Sequence, residues 1–308
     1  MTEPTRDFQV LGNRTWALQR GSGLLIMDPG FDCSSLSLDE ALQRPESTLS
    51  KTLALVNARK PRWVYLFLSH DHYDHAGNLP LFTELRGRHD WNMTLLAHEK
   101  NQSAQRAKRQ GFPSHLIDGD SSLALEPEDV KLLATPGHNL AGDDISLWLP
   151  RSRVLFAGDL PQAQGPCYEC CDFHSAFSNH QNGEQALHSL QKLHGLPFET
   201  LLMGHEGQAL GKEEGKRAIK TTMVVLERTR DLAFRLVSEN PRESRERYVE
   251  WIYDTISWER RMPLEQSERR KEEGHRGPCP RRDSRSFYHL YDTASIYFFV
   301  DRAMALLD

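Results

Sequence analysis

Ser69-His70-Asp71-His72-Tyr73-Asp74-His75-Ala76-Gly77-Asn78 is the stretch that decides how this chain is read. Three histidines and two aspartates occupy the six positions from His70 to His75. The residues before it, Trp63-Val64-Tyr65-Leu66-Phe67-Leu68, are apolar, aromatic and β-branched, the composition of a buried strand. The polar cluster therefore stands where a buried strand ends, a place where ligands and metals collect in layered folds. His70 and His72 are two apart and point the same way on an extended segment. Asp74 keeps that parity, and His75 breaks it and so reaches toward a neighbouring point. Imidazole nitrogen and carboxylate oxygen suit zinc, iron or manganese. The plain alternative is a polar loop whose histidines cap a helix and bind nothing. The density of the cluster behind a strand weighs against it.

The pattern His-x-His-x-Asp-His-Ala-Gly resembles the signature of the metallo-β-lactamase fold superfamily, which includes glyoxalase II-like hydrolases, lactonases, acyl thioesterases and some nucleases. Ser69 stands where Thr is common. The resemblance implies further ligands downstream, each after a turn or strand of set character. Thr135-Pro136-Gly137-His138 supplies the Pro-Gly-His turn. Val154-Leu155-Phe156-Ala157-Gly158-Asp159 supplies an Asp behind an apolar strand and a Gly, and Leu201-Leu202-Met203-Gly204-His205 supplies the last Gly-His turn. Leu24-Leu25-Ile26-Met27-Asp28-Pro29-Gly30 looks like the first Asp-Pro-Gly strand end. The resemblance covers residues 8 to 207 and implies an α/β fold, an αββα metallo-β-lactamase sandwich.

Carried over position by position, it puts His70, His72 and His138 on one metal and Asp74, His75 and His205 on another, with Asp159 bridging. The implied cofactors are two divalent ions, zinc first, with iron or manganese as alternatives. Two cations flanking a water lower its pKa toward neutrality, so the implied chemistry is hydrolysis by hydroxide. Asp74 and Asp159 are the implied catalytic carboxylates, and Asp74 lies where it can carry a proton to the leaving group. The expected substrate is a small-molecule acyl thioester or ester. Glyoxalase II enzymes place a Lys and a Tyr after the bridging Asp to hold glutathione, and Asp159 to Asp172 contains no Lys or Arg, which argues against a glutathione thioester. Lactonases of the acyl-homoserine-lactone type often place a Tyr shortly after that Asp; here Leu160, Pro161 and Gln162 come next, and Tyr168 is later. A lactonase stays the nearest alternative. A regulatory or binding protein and an iron-dependent redox enzyme on the same scaffold are the other classes.

The remaining sequence sets the frame. At 308 residues the chain has room for one large domain or a domain with an appendage. A net charge of −5 gives no argument for nucleic acid binding. No run approaches the roughly 20 apolar residues of a membrane span. The N-terminal residues show no apolar signal region, and five irregularly spaced cysteines fit a reduced, cytoplasmic setting. Cys167-x-x-Cys170-Cys171 is half a zinc knuckle without a second pair, so thiols beside a pocket are the preferred reading. His98, after the strand Met93 to Ala97, is read as a surface or helix-cap residue rather than an eighth ligand.

Strands are expected at Phe8 to Leu11, Thr15 to Gln19, Leu24 to Asp28, Val130 to Ala134, Ile145 to Leu149 and Phe198 to Met203. Helices are expected at Thr48 to Ala58, Asn78 to Arg86, 99 to 109 and Glu184 to Leu193. Phe112-Pro113 opens a predicted loop running to the turn Asp118-Gly119-Asp120. The domain expectation is a catalytic part over 1–209 and an added C-terminal α-helical cap over 210–308, packed on the active-site face. In it, Lys216 to Asn240, Arg245 to Trp258 and the aromatic stretch Ser286 to Leu307 are helical. The charged run from Glu265 to Arg285 is a loop or lid. The aromatic last helix also admits a homodimer.

Overall fold

The computed structural model describes residues 8–12, 14–125, 128–161, 180–204, 209–260 and 294–307. It divides into two compact units. One is Met1–Asp159 with Leu196–Gly215, and the other is Leu160–Gly195 with Lys216–Asp308.

The first unit is built on two six-stranded sheets. The first sheet is ordered β1(Phe8–Val10), β2(Trp16–Arg20), β3(Gly23–Met27), β4(Trp63–Phe67), β5(Met93–His98), β6(Ser114–Ile117). β1 to β3 run antiparallel, and β3 to β6 are parallel. The second sheet comprises β7(Ser121–Leu125), β8(Glu128–Ala134), β9(Ile145–Leu149), β10(Val154–Phe156), β11(Thr200–Leu202) and β12(Ala209–Gly211), neighbours in that order. Only its β10–β11 pair is parallel.

The strands alternate their side chains between two apolar layers, which is why their sequences read as near-continuous apolar runs. Trp16, Leu18, Leu25, Met27, Phe67 and Leu96 of the first sheet pack with Val130, Leu132, Ile145, Leu147 and Phe156 of the second. The rings of Phe67 and Phe156 meet edge to face across this layer at 5.7 Å. The alternate residues Ala17, Leu24, Ile26, Val64, Leu66 and Leu95 pack instead with an outer helical layer. That layer consists of α1(Leu38–Leu42), α2(Thr48–Arg59), α4(Leu79–His89) and α5(Gln102–Arg109), with the short α3(Tyr73–Ala76) between. Ser37 caps α1 in a reciprocal capping box with Glu40, and Ser47 and Asn101 cap α2 and α5. Gly215, at the start of α7(Lys212–Glu239), fits close to β11: a Cβ there would lie 2.9 Å from Leu201 and 2.8 Å from Phe198. The architecture is the expected α/β sandwich, with helices C-terminal to it.

The second unit holds α6(Gly183–His194), most of α7, α8(Arg245–Arg260) and α9(Ala294–Met304). Gly183 is needed where α6 meets α9, since a Cβ there would fall 2.5 Å from the Phe299 ring. The Ser295 hydroxyl donates to the His180 carbonyl at 3.0 Å. No helix among the described residues is long and apolar enough to cross a membrane.

Some boundaries differ from those read in the sequence. The predicted loop after Phe112 contains a strand, β6, because the half-buried Ser114-His115-Leu116 pairs along the edge of β5. β7 and β12 are additional edge strands, and α7 starts at Lys212 rather than Lys216. The Cys167–Cys171 segment, the 265–285 run and the first part of the predicted Ser286–Leu307 helix lie outside the described residues.

Candidate metal centre

The parallel strands β3 and β4 end side by side, and the segments leaving their C-terminal ends form the site. Asp28, directly after β3, is fully buried and has φ +53°, the left-handed region that a non-glycine residue seldom adopts. In that conformation its Oδ1 accepts the Ser69 backbone N–H at 2.7 Å and its Oδ2 accepts the Ser69 hydroxyl at 2.8 Å. The same Oδ2 lies 2.8 Å from His75 Nδ1. Ser69 gives its proton to Asp28, so its Oγ accepts from His70 Nδ1 at 2.9 Å. Both imidazoles therefore carry hydrogen on Nδ1 and turn Nε2 to the other side, the outer-sphere arrangement that orients metal-binding histidines. Asn78 closes the loop, donating from Nδ2 to the Pro29 carbonyl and to Asp32 while its Oδ1 accepts the Cys33 N–H.

His138 comes from the loop after β8. Its neighbours are fixed by Asp144, whose buried carboxylate accepts the Gly137 N–H at 3.1 Å and the Asn139 N–H at 3.0 Å. Asp159 lies beyond β10, after Gly158 at φ +55°. A Cβ on Gly158 would lie 2.9 Å from Ser69 Cβ, and one on Gly204 would lie 2.3 Å from Asp159 Oδ1. Glycine is required at both places for the carboxylate to reach the histidines.

The result is a dense cluster. His72 Nδ1 and His138 Nε2 are 3.2 Å apart. Asp159 Oδ2 lies 3.2 Å from His75 Nε2 and 3.6 Å from His138 Nε2. Two groups bring their ligand atoms within 4.8 Å of one another: His70 with His72 and His138, and His70 with His75 and Asp159. Nε2 of His70 is buried and has no hydrogen-bond partner among the described residues. A buried ring nitrogen without a partner calls for an explanation, and a cation supplies one.

The electrostatics agree with that. Burial pushes the His70 pKa well below the ordinary histidine value, with the rings of His75 and His138 adding to it and Asp159 opposing. Burial also lowers His72, against the pull of Asp159 and Asp74. Neutral imidazole is the ligating form. Burial acts to lower His75 as well, but the carboxylates of Asp159 and Asp28 outweigh it and raise its pKa well above the usual value. A point between two buried carboxylates is one where positive charge is stabilised, whether proton or metal.

The structure thus brings His70, His72, His75, His138 and Asp159 together. Asp74 stands beside them, its Oδ2 3.7 Å from His75 Nε2, and that oxygen also meets Arg14 at 2.9 Å. His205 lies outside the described residues. His98 is buried, and its Nδ1 accepts the Lys100 N–H, a role in the turn after β5. Sequence reasoning did not find the supporting roles of Ser69 and Asp144 or the contact of Arg14. Asp28 carried a signal, the Asp-Pro-Gly motif, but as a strand end rather than as the acceptor that orients two of the clustered histidines.

An α/β sandwich with clustered histidines and an aspartate at its strand ends defines a protein built around a divalent-metal site. The chain belongs to the metallo-beta-lactamase superfamily, whose family model matches residues 10–205. It is 30% identical over 187 residues to the hydroxyacylglutathione hydrolase of Brucella ovis, a match spanning 57% of this chain and 64% of that protein. It is 26% identical over 200 residues to the Beta-lactamase-like protein 2 homolog of Caenorhabditis elegans, spanning 64% of this chain and 57% of that protein. The chain therefore covers less than two thirds of the length of either relative. Among solved structures, the metal-soaked Flv1 flavodiiron core from Synechocystis superposes with a TM-score of 0.53 at 13% identity, over 71% of this chain and 53% of that one. That likeness is one of fold.

Proposed function

We propose that this protein is a dinuclear metal-dependent hydrolase of a small-molecule acyl thioester or ester. The observation that carries the reading is the orphaned, buried Nε2 of His70 at the junction of two overlapping ligand groups. The similarity to a hydroxyacylglutathione hydrolase supports a thioester as the bond cleaved. His70, His72 and His138 would hold one ion, Asp74, His75 and His205 the other, and Asp159 would bridge. Bound there, two divalent ions supply an activated water and stabilise the developing oxyanion.

The chain's own residues do the rest. Asp28 keeps a proton of His75 on Nδ1, and Ser69 keeps that of His70 on Nδ1, so each ring is turned to offer Nε2 to an ion. Asp74 has a side chain 31% exposed, the most open of the cluster's carboxylates, and is placed to pass a proton to the leaving group. Within this proposal residues 1–209 are the catalytic part, the partner is a small molecule rather than nucleic acid or membrane, and the protein works in the cytoplasm.

The test is elemental analysis of protein loaded with excess metal and then freed of unbound ions, together with turnover of thioester, ester and lactone substrates. About two equivalents of zinc, iron or manganese, with hydrolysis of thioester or ester that Asp159→Asn abolishes, is the expected result. Lactone turnover alone would transfer the reading to a lactonase. No bound metal after reconstitution would overturn it.

A further inference from the structure

Arg14 is a cation at the edge of the metal cluster for which the hydrolytic reading has no use. Its side chain is only 8% exposed, and its Nε lies 2.9 Å from Asp74 Oδ2. That same oxygen is 3.7 Å from His75 Nε2. One carboxylate oxygen thus faces both a guanidinium and the imidazole with which it would share an ion.

Arg14 is also held where it is. It belongs to the turn between β1 and β2, which closes on itself through the Leu11 N–H to the Thr15 carbonyl at 2.9 Å and the Thr15 N–H to the Gly12 carbonyl at 3.3 Å. Lys51 Nζ donates to the Leu11 carbonyl at 3.0 Å, tying the turn to α2. The guanidinium lies over the Phe31 ring, 5.2 Å from its centroid, a further favourable contact. Phe31 is itself fixed against the metal loop, since a Cβ on Gly77 would lie 2.8 Å from its Cβ.

We propose that Arg14 is a positioning residue that sets the affinity of the second metal position. It holds Asp74 by the oxygen that an ion beside His75 would need. A carboxylate shared with a fixed positive charge attracts a dication less, and the guanidinium repels that dication directly. The three-histidine position, His70 with His72 and His138, therefore fills first, and the second fills only at higher metal concentration. The proposal rests on the hydrolase's two-metal site and adds to it an order of filling and the residue that imposes it. An arginine that merely oriented Asp74 for the metal would have the opposite effect on removal, which makes the sign decisive.

The experiment is a zinc titration of the full chain against a competing chromophoric chelator, on wild type, Arg14→Gln and Arg14→Lys. Wild type is expected to bind in two separated steps. Arg14→Gln is expected to tighten the second step by about tenfold or more, the scale of outer-sphere effects on metal affinity, and to leave the first unchanged. Arg14→Lys keeps the charge and is expected to stay close to wild type. A second step that is unchanged or weaker in Arg14→Gln overturns the proposal. Should Arg14→Gln not fold, by circular dichroism, Phe31→Ala loosens the guanidinium from a half-exposed position without changing charge. It is expected to shift the second step in the same direction, and no shift overturns the proposal. Wild type that binds no zinc in either step would instead overturn the two-metal site itself, a result distinct from two bound ions indifferent to Arg14.

Discussion

Two loops bring the histidines together, and they are held in different ways. The loop from Ser69 to Asn78 is tied through its side chains: Asp28 reaches His75 directly and His70 through the Ser69 hydroxyl. The loop from Thr135 to Asp144 is tied through its backbone, with Asp144 accepting the N–H groups that flank His138. In the first loop the supporting carboxylate sets the angle of the histidine rings. In the second it sets the path of the chain and leaves the ring to adjust. The same kind of residue, a buried aspartate, should therefore have different effects on metal binding when removed from each.

The largest effect is expected at Asp28. Asp28→Ala leaves a buried N–H, a hydroxyl and an imidazole without their acceptor and keeps a non-glycine residue at φ +53°. The expected loss of stability is about 3–5 kcal/mol in urea unfolding, with metal affinity weakened about 10- to 100-fold. Asp28→Asn preserves the shape and is expected to cost the fold less while still loosening the metal, because the charge opposite His75 is gone. A variant that loses stability yet holds metal as tightly as wild type would break the distinction between the loops.

A smaller effect is expected at Asp144. Burial pushes its carboxyl pKa well up, against the pull of the Asn139 and Gly137 N–H groups. Asp144→Ala removes the acceptor for both, an expected cost of about 1–3 kcal/mol. Metal affinity is expected to fall less than in Asp28→Ala, since no imidazole nitrogen loses its partner. Measured side by side by competition with a chelator, the opposite ranking would show that the path of the second loop matters more than ring orientation in the first.

Much of this architecture is readable in the chain, and the parts that are not share a physical cause. β9 announces itself because both its faces are buried, and β4 because most of its residues are, which leaves an apolar run in each. β6, β7 and β12 escape a sequence reading, and each lies at the edge of a sheet, where one partner strand and partial exposure place few demands on sequence. The clustered side chains His70 to His75 are legible because the motif is local, and His138 and Asp159 because each ends an apolar strand. The contact of Arg14 with Asp74 joins residues far apart in the chain and has no local pattern to reveal it. Asp144 looks like one more polar residue in a turn, because its role as an acceptor depends on burial that the sequence does not display.

The two loops are not independent, and Asp143 is where they meet. The Ile145 N–H donates to the Ser69 carbonyl at 2.8 Å. Asp143 accepts from the Asn101 side chain at 3.0 Å and from the backbone N–H of Asp71, and Asp71 in turn caps α5 through the N–H groups of Gln102 and Ser103. Burial, with the nearby Asp71 carboxylate, pushes the Asp143 pKa from 3.8 up to about 6. Between those values the folded protein keeps a proton that the unfolded chain has released, so stability falls as pH rises from about 4 to about 6, by at most about 3 kcal/mol, and changes no further above that on this account. Asp143→Asn lacks the titration. Its stability relative to wild type is therefore expected to improve across that window, measured as the difference in urea unfolding free energy at pH 4, 5, 6 and 7. The difference cancels the titration of the histidines common to both proteins. A difference that stays flat with pH would mean that Asp143 is ionised at little cost, and that the junction between the loops is held by its hydrogen bonds rather than strained by its charge.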